Sequence, residues 1–376
     1  MSAVFILAAG GTGGHLFPAQ AFAAELKRRG QRPVLITDDR GLNFGDGFDD
    51  VPVHAVRAGT LSPRRPFKSA KAVFDILSGI VASYRIARPL KPVLAVGFGG
   101  YPSLPAMIAA GWAGIPRLIH EQNAVLGLAN RLLATRVDGI ALSFDPTSGL
   151  KQHCVDKARL TGNPVRAGVS DVAALPYPPV TKGAPINILV MGGSQGARIM
   201  GEVVPAGIAQ LPALIRSRIT VVQQCRSENL NAARTIYREA GIAAELALFI
   251  EDVPAQLASA HLVISRAGAS TVAEVTAAGR PALLVPYPGH GDKQQAANGN
   301  AVVKAGGAWM VEDAEFTPDW LAERLENLIG NNGELEMAAS MSRAVGRPNA
   351  TIALADLAEQ MVAAGGAVGM SGRAVA

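Results

Sequence analysis

The chain has 376 residues and a net charge of +5, with 49% hydrophobic residues, 5% aromatic residues and 41 glycines. Such a length gives two or three domains with ample core, and a glycine-rich, aliphatic composition favours an α/β protein with many strand-to-helix turns. Cys154 and Cys225 lie far apart and form no metal or redox motif, which is typical of a reducing compartment. The sequence shows no secretory signal and no run of about 18 apolar residues, so we expect a cytoplasmic protein without a transmembrane helix.

The first predicted unit is a strand, a glycine turn and a helix. The apolar run Val4–Ala8 leads into Gly10-Gly11-Thr12-Gly13-Gly14-His15, and an apolar-periodic helix follows over residues 18–28. Glycines let the backbone approach a ligand closely, and N–H groups at a helix N-terminus attract anions, so this turn predicts a phosphate-binding loop. Turn glycines without a ligand are the alternative. A dinucleotide fingerprint would need glycine where Leu16 stands, and the chain contains no P-loop sequence.

Strands are predicted next at residues 34–37 and 51–56, and a helix at 68–88. Eight cations and one anion between Arg57 and Lys91 give that segment a net charge of +7, so the rest of the chain is net −2. We therefore expect a local basic patch and no nucleic-acid partner. The helix carries a broad apolar face with cations at both ends, which predicts either core packing or contact with an anionic membrane surface. The membrane patch would comprise Lys68, Lys71, Phe74, Leu77, Val81, Arg85 and Arg88.

A second glycine turn, Gly97-Phe98-Gly99-Gly100-Tyr101, follows a predicted strand at 93–96. After a helix at 104–112, the strand 117–119 runs into His120-Glu121-Gln122-Asn123. Open α/β sheets bind ligands at the carboxyl ends of their strands, so these four polar side chains predict part of a site. Strands at 139–142 and 158–160 complete this half of the chain.

The second half repeats the first after a proline-rich segment, residues 171–185, which predicts a linker. Strand Ile186–Met191 runs into Gly192-Gly193-Ser194-Gln195-Gly196-Ala197. The order of features is the same as at residues 4–14: an apolar strand, two glycines, a hydroxyl residue, another glycine and a helix. We therefore predict two similar parallel α/β domains with a cleft between the carboxyl ends of their sheets. The remaining predicted strands cover residues 219–223, 246–250, 262–264 and 282–285.

Two polar segments of the second half predict nucleotide-sugar contacts. Ser270 lies in the first turn of a helix after Gly268, where N–H groups and hydroxyls can meet phosphate oxygens. Glu274, one turn further on the same face, can accept hydrogen bonds from a ribose diol, or simply favour the helix dipole. The neutral amides of residues 294–298 suit sugar hydroxyls, with ordinary helix-start polarity as the alternative.

Six motifs occur together and in one order, at residues 10–15, 99–101, 120–123, 162–166, 192–197 and 266–274. Each motif is weak alone, but the ordered set resembles the MurG family of bacterial N-acetylglucosaminyltransferases, which convert lipid I to lipid II. The resemblance runs from residue 4 to roughly residue 360. The resemblance implies a GT-B fold, in which two Rossmann-like, doubly wound parallel-sheet domains face each other across a cleft. The expected boundaries are an acceptor- and membrane-associated domain at 1–166, a linker at 167–185, a donor domain at 186–345, a helix at 346–364 that returns to the N-terminal domain, and a flexible tail at 365–376.

The resemblance also implies a reaction and its site. GlcNAc would pass, with inversion, from UDP-GlcNAc to the 4-OH of MurNAc in undecaprenyl-pyrophosphoryl-MurNAc-pentapeptide, at the cytoplasmic face of the bacterial inner membrane. Anionic lipid and other cell-wall synthesis proteins would be partners. The implied donor-binding residues are Thr12, Gly13, Gly14, Asn123, Arg166, Ser194, Ile250, Ala269, Ser270, Glu274, Gln294, Gln295 and Asn298. The implied acceptor side comprises Gly10, Gly11, Gly99, Gly100, Tyr101 and Gln122.

Such a transfer needs a base for the acceptor hydroxyl and stabilisation of the leaving UDP. His15 is the candidate base, because a helix N-terminus favours the neutral imidazole, which can accept a proton at pH 7. Glu121 as base, or a His15 that only binds phosphate, are the alternatives. The sequence has no D-x-D motif, so we expect no metal or other cofactor.

Three other functions compete with this hypothesis. A transferase of the same fold could act on a different lipid. An NAD(P)-dependent dehydrogenase could use Asp38 or Asp39 to bind ribose, but the failed fingerprint argues against it. A non-enzymatic nucleotide-binding module is disfavoured by the polar residues predicted to converge from both halves.

Overall fold

The computed structural model describes residues 2–371 apart from 43–46, 49, 60–65, 182, 194–195, 290–292 and 332, and omits the side chains of 66–70 and 365–371. The chain divides into two compact units, one formed by Met1–Val165 with Asn349–Ala376 and the other by Arg166–Pro348. The described residues form one parallel sheet in each unit, of seven and six strands. This confirms the predicted α/β class.

The first unit is built on a seven-stranded parallel sheet with the strand order β3-β2-β1-β4-β5-β6-β7. Its strands are β1 (Val4–Ala8), β2 (Arg32–Thr37), β3 (Val53–Ala55), β4 (Leu94–Gly97), β5 (Arg117–Glu121), β6 (Gly139–Leu142) and β7 (Ala158–Leu160). Its helices are α1 (Gly13–Arg28), α2 (Asp39–Leu42), α3 (Pro66–Leu90), α4 (Ser103–Trp112), α5 (Leu128–Leu133) and α15 (Ala350–Ser371), with a 3₁₀ helix at Gln152–Lys157. The strand order reverses direction at β1 and β4, which places the β1–α1 and β4–α4 turns side by side, as doubly wound folds do.

The second unit repeats this order with its own strands, β10-β9-β8-β11-β12-β13. They are β8 (Ile186–Met191), β9 (Ile219–Gln224), β10 (Ala243–Ala247), β11 (Leu262–Ser265), β12 (Ala282–Leu284) and β13 (Ala308–Met310). The helices are α6 (Val169–Val172), α7 (Arg198–Ala209), α8 (Ala213–Arg216), α9 (Ser227–Glu239), α10 (Val253–Ser259), α11 (Ala269–Ala277), α12 (Gln294–Lys304), α13 (Pro318–Gly330) and α14 (Glu334–Val345). Residues 167–185, predicted as a linker, lie within this unit and contribute α6.

Several predicted bounds differ from the structure: helix α15, for example, continues to Ser371, through part of the segment 365–376 expected as a flexible tail. Three of the differences have a local cause. Helix α1 begins at Gly13 rather than residue 18, because Thr12 in extended conformation (ψ 150°) serves as its N-cap. Strand β10 covers Ala243–Ala247 rather than 246–250. It is an exposed edge strand, so it tolerates the polar Glu245. The apolar residues Leu248 and Phe249, which suggested a strand there, lie exposed beyond its end. The short edge strand β13 was missed because three residues carry no usable periodicity.

Helix α15 is part of the core of the first unit. Leu354, Ala355 and Ala358 are buried beside α1 residues such as Phe22 and Leu26. An ion cluster closes the same contact: Glu25 of α1 binds Arg28 and Arg29, both at 2.7 Å, and Arg29 also reaches Asp356 and Glu359 of α15 at 2.7 and 2.8 Å. Apolar packing and charge therefore both tie the end of the chain to α1.

Removal of the Glu25 charge is expected to destabilise the protein only where that carboxylate is ionised. Hydrogen bonds from Arg28, followed by those from Arg29, lower the pKa of Glu25 to about 2. A depressed folded-state pKa contributes stability above the unfolded value of about 4.5, and this contribution is lost as pH falls towards 2. Glu25→Gln should therefore lower the Tm at pH 7 by several degrees. The corresponding loss in the free energy of unfolding is about 1–2 kcal/mol, because solvent screens the interaction with the exposed Arg28.

The Tm difference between Glu25→Gln and wild type should shrink steadily between pH 5 and pH 3. Glu326→Gln, at an exposed position of α13, is the matched control and should leave the Tm unchanged. A Tm difference that does not depend on pH would contradict a role for the Glu25 charge.

Candidate functional site

The glycine turn of the first unit ends at an exposed helix N-terminus. Thr12 donates its N–H to the Gly10 carbonyl at 2.6 Å, and its own carbonyl accepts the first bonds of α1, from His15 and Leu16. Thr12 and Gly14 are exposed, and a Cβ at Gly14 would meet no atom within 4 Å. The first N–H groups of a helix have no partner within the helix, so this end offers donors and a positive dipole to an anion.

His15 lies in the first turn of α1 against the second glycine turn. Gly99 and Gly100 have φ values of +83° and +74°, which favour glycine. A Cβ on either would lie only 3.3 or 3.2 Å from the His15 ring, and one on Gly10 would lie 3.3 Å from the Gly100 Cα. The structure therefore brings Gly10, Gly99 and Gly100 of the implied acceptor side together with His15, the candidate base, and it explains why both turns need glycine. The neighbouring Tyr101 is half-buried against the core.

A buried chain of side chains supports His15. Its Nδ1 is 3.1 Å from the Gln122 carboxamide oxygen, and the Gln122 Nε2 is 2.9 Å from the Nδ1 of His120. His120 Nε2 in turn lies 3.0 Å from the Gly162 carbonyl oxygen. His120 is 0% exposed, and burial lowers its pKa to about 4, against the opposing hydrogen bond to Gly162. His120 is therefore neutral at pH 7.

Glu121, the alternative base, accepts hydrogen bonds that are separate from the chain between His15 and Gly162. One carboxylate oxygen accepts from the backbone and side chain of Asn123, at 3.0 and 3.3 Å. The other accepts from the Gly127 N–H and the Asn130 amide, both at 2.9 Å. With 1% exposure and four donors, this carboxylate shapes the loop after β5, and we favour His15 as the base.

In the second unit, Gly268 precedes α11 as its N-cap and offers no side-chain cap. The Ser270 hydroxyl in the first turn is buried and has no hydrogen-bond partner among the residues that the structure describes. Ala269, before it, is also buried. Buried hydroxyls are normally paired, so Ser270 is available to a ligand at this helix terminus.

Glu274 is 2% exposed and pairs with Arg166, whose Nε donates to Oε1 at 2.7 Å and whose Nη2 donates to Oε2 at 3.4 Å. Burial raises the pKa of Glu274, and Arg166 opposes the shift. Glu274 and Arg166, both in the implied donor-binding set, therefore lie in contact.

The predicted sugar-binding amides have different surroundings. Asn298 is fully buried and donates to the Ala267 carbonyl at 3.3 Å, so it supports the loop before α11. Gln295 accepts from the Tyr287 N–H at 2.9 Å. Gln294 is half-buried at the start of α12, and Ile250 is buried. Asn123 belongs to the first unit and these residues to the second.

Ser194, a predicted donor-binding residue, lies outside the residues that the structure describes, and so does the side chain of Lys68 in the predicted membrane patch. Around Ser194, Gly193 and Gly196 have positive φ values, +83° and +67°, and the Gly196 N–H binds the Gly193 carbonyl. The repeated glycine turn is thus present in the second unit.

The rest of the predicted membrane patch lies on one exposed stripe of α3. Phe74, Leu77 and Val81 are 63%, 53% and 46% exposed, whereas Ile80 is buried. Lys71, Arg85 and Arg88 are exposed along the same helix. A groove of about 600 Å³ is lined by Val81, Tyr84, Arg85, Arg88, Pro89 and Trp112. The apolar face predicted to meet either core or membrane is therefore divided: Ile80 packs inward, whereas Phe74, Leu77 and Val81 are exposed.

The described residues lack two features that would bear on function. They contain no group of three or more His, Cys, Asp or Glu placed to hold a metal ion. None of their helices has both the length and the apolar character that crossing a bilayer requires.

The sequence did not predict the hydrogen bonds that support His15. His120 was expected only as one of four polar residues at a strand end, and Gln122 as part of the acceptor side, although their spacing of two puts both side chains on the same side of an extended segment. Nothing in the sequence near Gly162 or Asn130 signalled their bonds to this segment.

Comparisons with known proteins agree with this architecture. Residues 5–142 match the glycosyltransferase family 28 N-terminal domain, and residues 187–361 match its C-terminal domain. The crystal structure of Acinetobacter baumannii MurG is 30% identical, covers 96% of this chain and all of that one, and superposes with a TM-score of 0.73. The calicheamicin glycosyltransferase CalG4, at 15% identity and a TM-score of 0.62, shares the fold. The protein is a two-domain glycosyltransferase of family 28 with the GT-B fold.

Curated relatives narrow the family further. UDP-N-acetylglucosamine–N-acetylmuramyl-(pentapeptide) pyrophosphoryl-undecaprenol N-acetylglucosamine transferase of Rhodospirillum centenum is 50% identical over 94% of this chain and 93% of its own. The enzyme of the same name from Zymomonas mobilis is 46% identical over 95% and 92%. The chain belongs to this family, the MurG N-acetylglucosaminyltransferases.

Proposed function

We propose that the protein moves GlcNAc from UDP-GlcNAc to the 4-OH of MurNAc in lipid I, with inversion, to form lipid II. The observation that carries this proposal is a histidine in the first turn of a glycine-built helix N-terminus, in a chain that matches the lipid II-forming family along nearly its whole length. The helix end suits the acceptor diphosphate, and the imidazole beside it suits the proton of the attacking hydroxyl.

Donor binding belongs to the second unit in this proposal. The Ser270 hydroxyl, which has no partner among the described residues, and the α11 N-terminus would receive phosphate oxygens. Glu274 would accept hydrogen bonds from the ribose. Helix dipoles and hydroxyls would also stabilise the leaving diphosphate, without a metal, as the lack of a D-x-D motif suggests.

Titration calorimetry tests the donor half of the proposal directly. The protein should bind UDP-GlcNAc and UDP and should not bind NAD under the same conditions. Binding of NAD without binding of UDP would favour a dehydrogenase and contradict the proposal.

The exposed stripe of α3 is the proposed contact with the membrane. Its apolar side chains follow the helical spacing 74, 77 and 81, and Lys71, Arg85 and Arg88 flank them. Such a surface places cations at anionic headgroups and apolar groups just below them. The acceptor's polyprenyl chain is held in the same bilayer, so this contact would keep the enzyme beside its substrate.

Charge reversal on this stripe is expected to weaken binding to anionic vesicles. Each basic residue near an anionic surface contributes about 1 kcal/mol, so Lys71→Glu with Arg85→Glu should reduce the partition coefficient at least about tenfold. The measurement is co-sedimentation with phosphatidylglycerol-containing vesicles, with phosphatidylcholine vesicles for comparison.

The matched control reverses two exposed lysines elsewhere, Lys151 and Lys304. This double variant should bind vesicles as wild type does, and both variants should keep the wild-type Tm. Equal loss of binding in the two double variants would show a general charge effect and contradict a role for α3.

A further inference from the structure

The hydrogen bonds between Gly162 and His15 have a defined direction. A carbonyl oxygen only accepts, so His120 Nε2 must carry the proton that it donates to Gly162. The Ser143 hydroxyl, 3.4 Å from the same nitrogen, donates instead to the Glu121 carbonyl at 2.8 Å, which leaves its oxygen free to accept. A neutral His120 with a proton on Nε2 has a lone pair on Nδ1.

The His120 lone pair then fixes the Gln122 amide. Only the NH₂ group of Gln122 can donate to His120 Nδ1, and this group also reaches the His120 carbonyl at 3.2 Å. The Gln122 oxygen must therefore face His15, and His15 Nδ1 must donate to it across 3.1 Å. The Gly162 carbonyl therefore determines the orientation of the Gln122 amide.

We infer that Gln122 and His120 are positioning residues that hold His15 in the tautomer with a proton on Nδ1 and a lone pair on Nε2. This inference rests on the proposed role of His15 as the base. The imidazole plane is held at the same time, because the Gly99 and Gly100 backbone packs against the ring. A histidine base works only in the tautomer whose free nitrogen faces the proton that it removes.

The step that this arrangement serves is balanced within the transfer reaction. The acceptor 4-OH gives its proton to His15 Nε2 while its oxygen forms the bond to the anomeric carbon. The electron pair of the breaking C–O bond leaves on the UDP diphosphate. His15 becomes an imidazolium, and its Nδ1–H still donates to the Gln122 oxygen, whose dipole favours the positive charge. His120, neutral because it is buried, adds no repelling charge.

Nitrogen NMR of protein labelled with ¹⁵N-histidine reads the tautomer without reference to activity. The chain has six histidines, and His15→Ala assigns the signals of interest. In its neutral form, wild-type His15 should show a protonated Nδ1 and an unprotonated Nε2. In Gln122→Met, which keeps the side-chain length and removes both bonds, the His15 signals should move to the other tautomer or to a mixture.

The same variants have a kinetic signature. Gln122→Met should lower kcat at least about tenfold, with the KM for UDP-GlcNAc within threefold of wild type, as for loss of a group that orients a reactive histidine. His120→Asn, whose carbonyl oxygen can accept from Gln122, should retain more of the Nδ1–H tautomer and of kcat than His120→Leu. Gln223→Met, which removes a buried glutamine from the core of the second unit, controls for loss of stability.

Two results would overturn the inference: wild-type His15 with its proton on Nε2, or an unchanged tautomer in Gln122→Met. A locked Nδ1–H tautomer together with a His15→Ala variant of normal kcat would instead refute the proposed base and leave the positioning intact. The two failures are therefore distinguishable.

Discussion

Replacement of His15 by alanine is expected to lower kcat for GlcNAc transfer about 100- to 10,000-fold, the usual contribution of a positioned general base. The reason is geometric: His15 is the titratable side chain that lies between the two glycine turns of the first unit, and Gln122 binds its Nδ1. The affinity for UDP should change little, because the proposed UDP contacts belong to the second unit.

Steady-state kinetics with a lipid I analogue, together with calorimetry with UDP, measure both quantities. His153→Ala, at an exposed position of the first unit, is the matched control and should have the wild-type kcat. If His15→Ala raises the KM for the acceptor but keeps kcat, then His15 binds phosphate and another group is the base.

Replacement of Glu274 by glutamine is expected to weaken UDP binding about tenfold to a hundredfold. Hydrogen bonds to a charged group contribute about 1.5–3 kcal/mol each, and glutamine loses the charge and one acceptor while it keeps the shape. The Tm must be checked alongside, since Glu274 is buried and its partner Arg166 loses its counter-ion. Glu239→Gln, exposed at the end of α9, is the control.

A nucleotide analogue separates ribose binding from a structural role of Glu274. Wild type should bind 2′,3′-dideoxy-UDP more weakly than UDP, whereas Glu274→Gln should hardly distinguish the two, because the variant and the analogue remove the same bonds. Burial raises the pKa of Glu274, so UDP affinity of the wild type should fall at acid pH as this carboxylate is protonated, and the variant should lack that dependence. Fully additive losses would show that Glu274 does not contact the ribose.

The succession of strands along the chain and the position of both glycine turns follow from local patterns in the sequence. Short apolar runs, glycines and helix starts are local signals, so strands such as β6 and β8 have the predicted bounds, and the turn at Gly192 repeats the turn at Gly10. The start of α1 was predicted less well, because Gly13 and Gly14 have a low helix propensity. Their place in the first turn of the helix becomes clear only from the N-cap conformation of Thr12 in the folded protein.

The hydrogen bonds that support His15 could not be predicted from the sequence, because they join residues that are far apart in the chain. Gln122 lies 107 residues from His15, and Gly162 lies 42 residues from His120. Glu121 and Asn298 show the converse: their polarity suggested ligand contacts, whereas the structure gives each of them hydrogen bonds that hold a loop. A polar residue near a strand end can serve the ligand or the backbone, and direct hydrogen bonds to the backbone of a loop identify the second role for Glu121 and Asn298.

Transfer of labelled GlcNAc is the most direct test of the proposed function. The protein would be incubated with UDP-[¹⁴C]GlcNAc and a lipid I analogue, and the lipid product extracted and its linkage determined by NMR. We predict a labelled product with a β-1,4 linkage to MurNAc, formed by wild type and greatly reduced in His15→Ala. No labelled lipid from folded, UDP-binding protein, or a product with an α linkage, would contradict the proposed reaction.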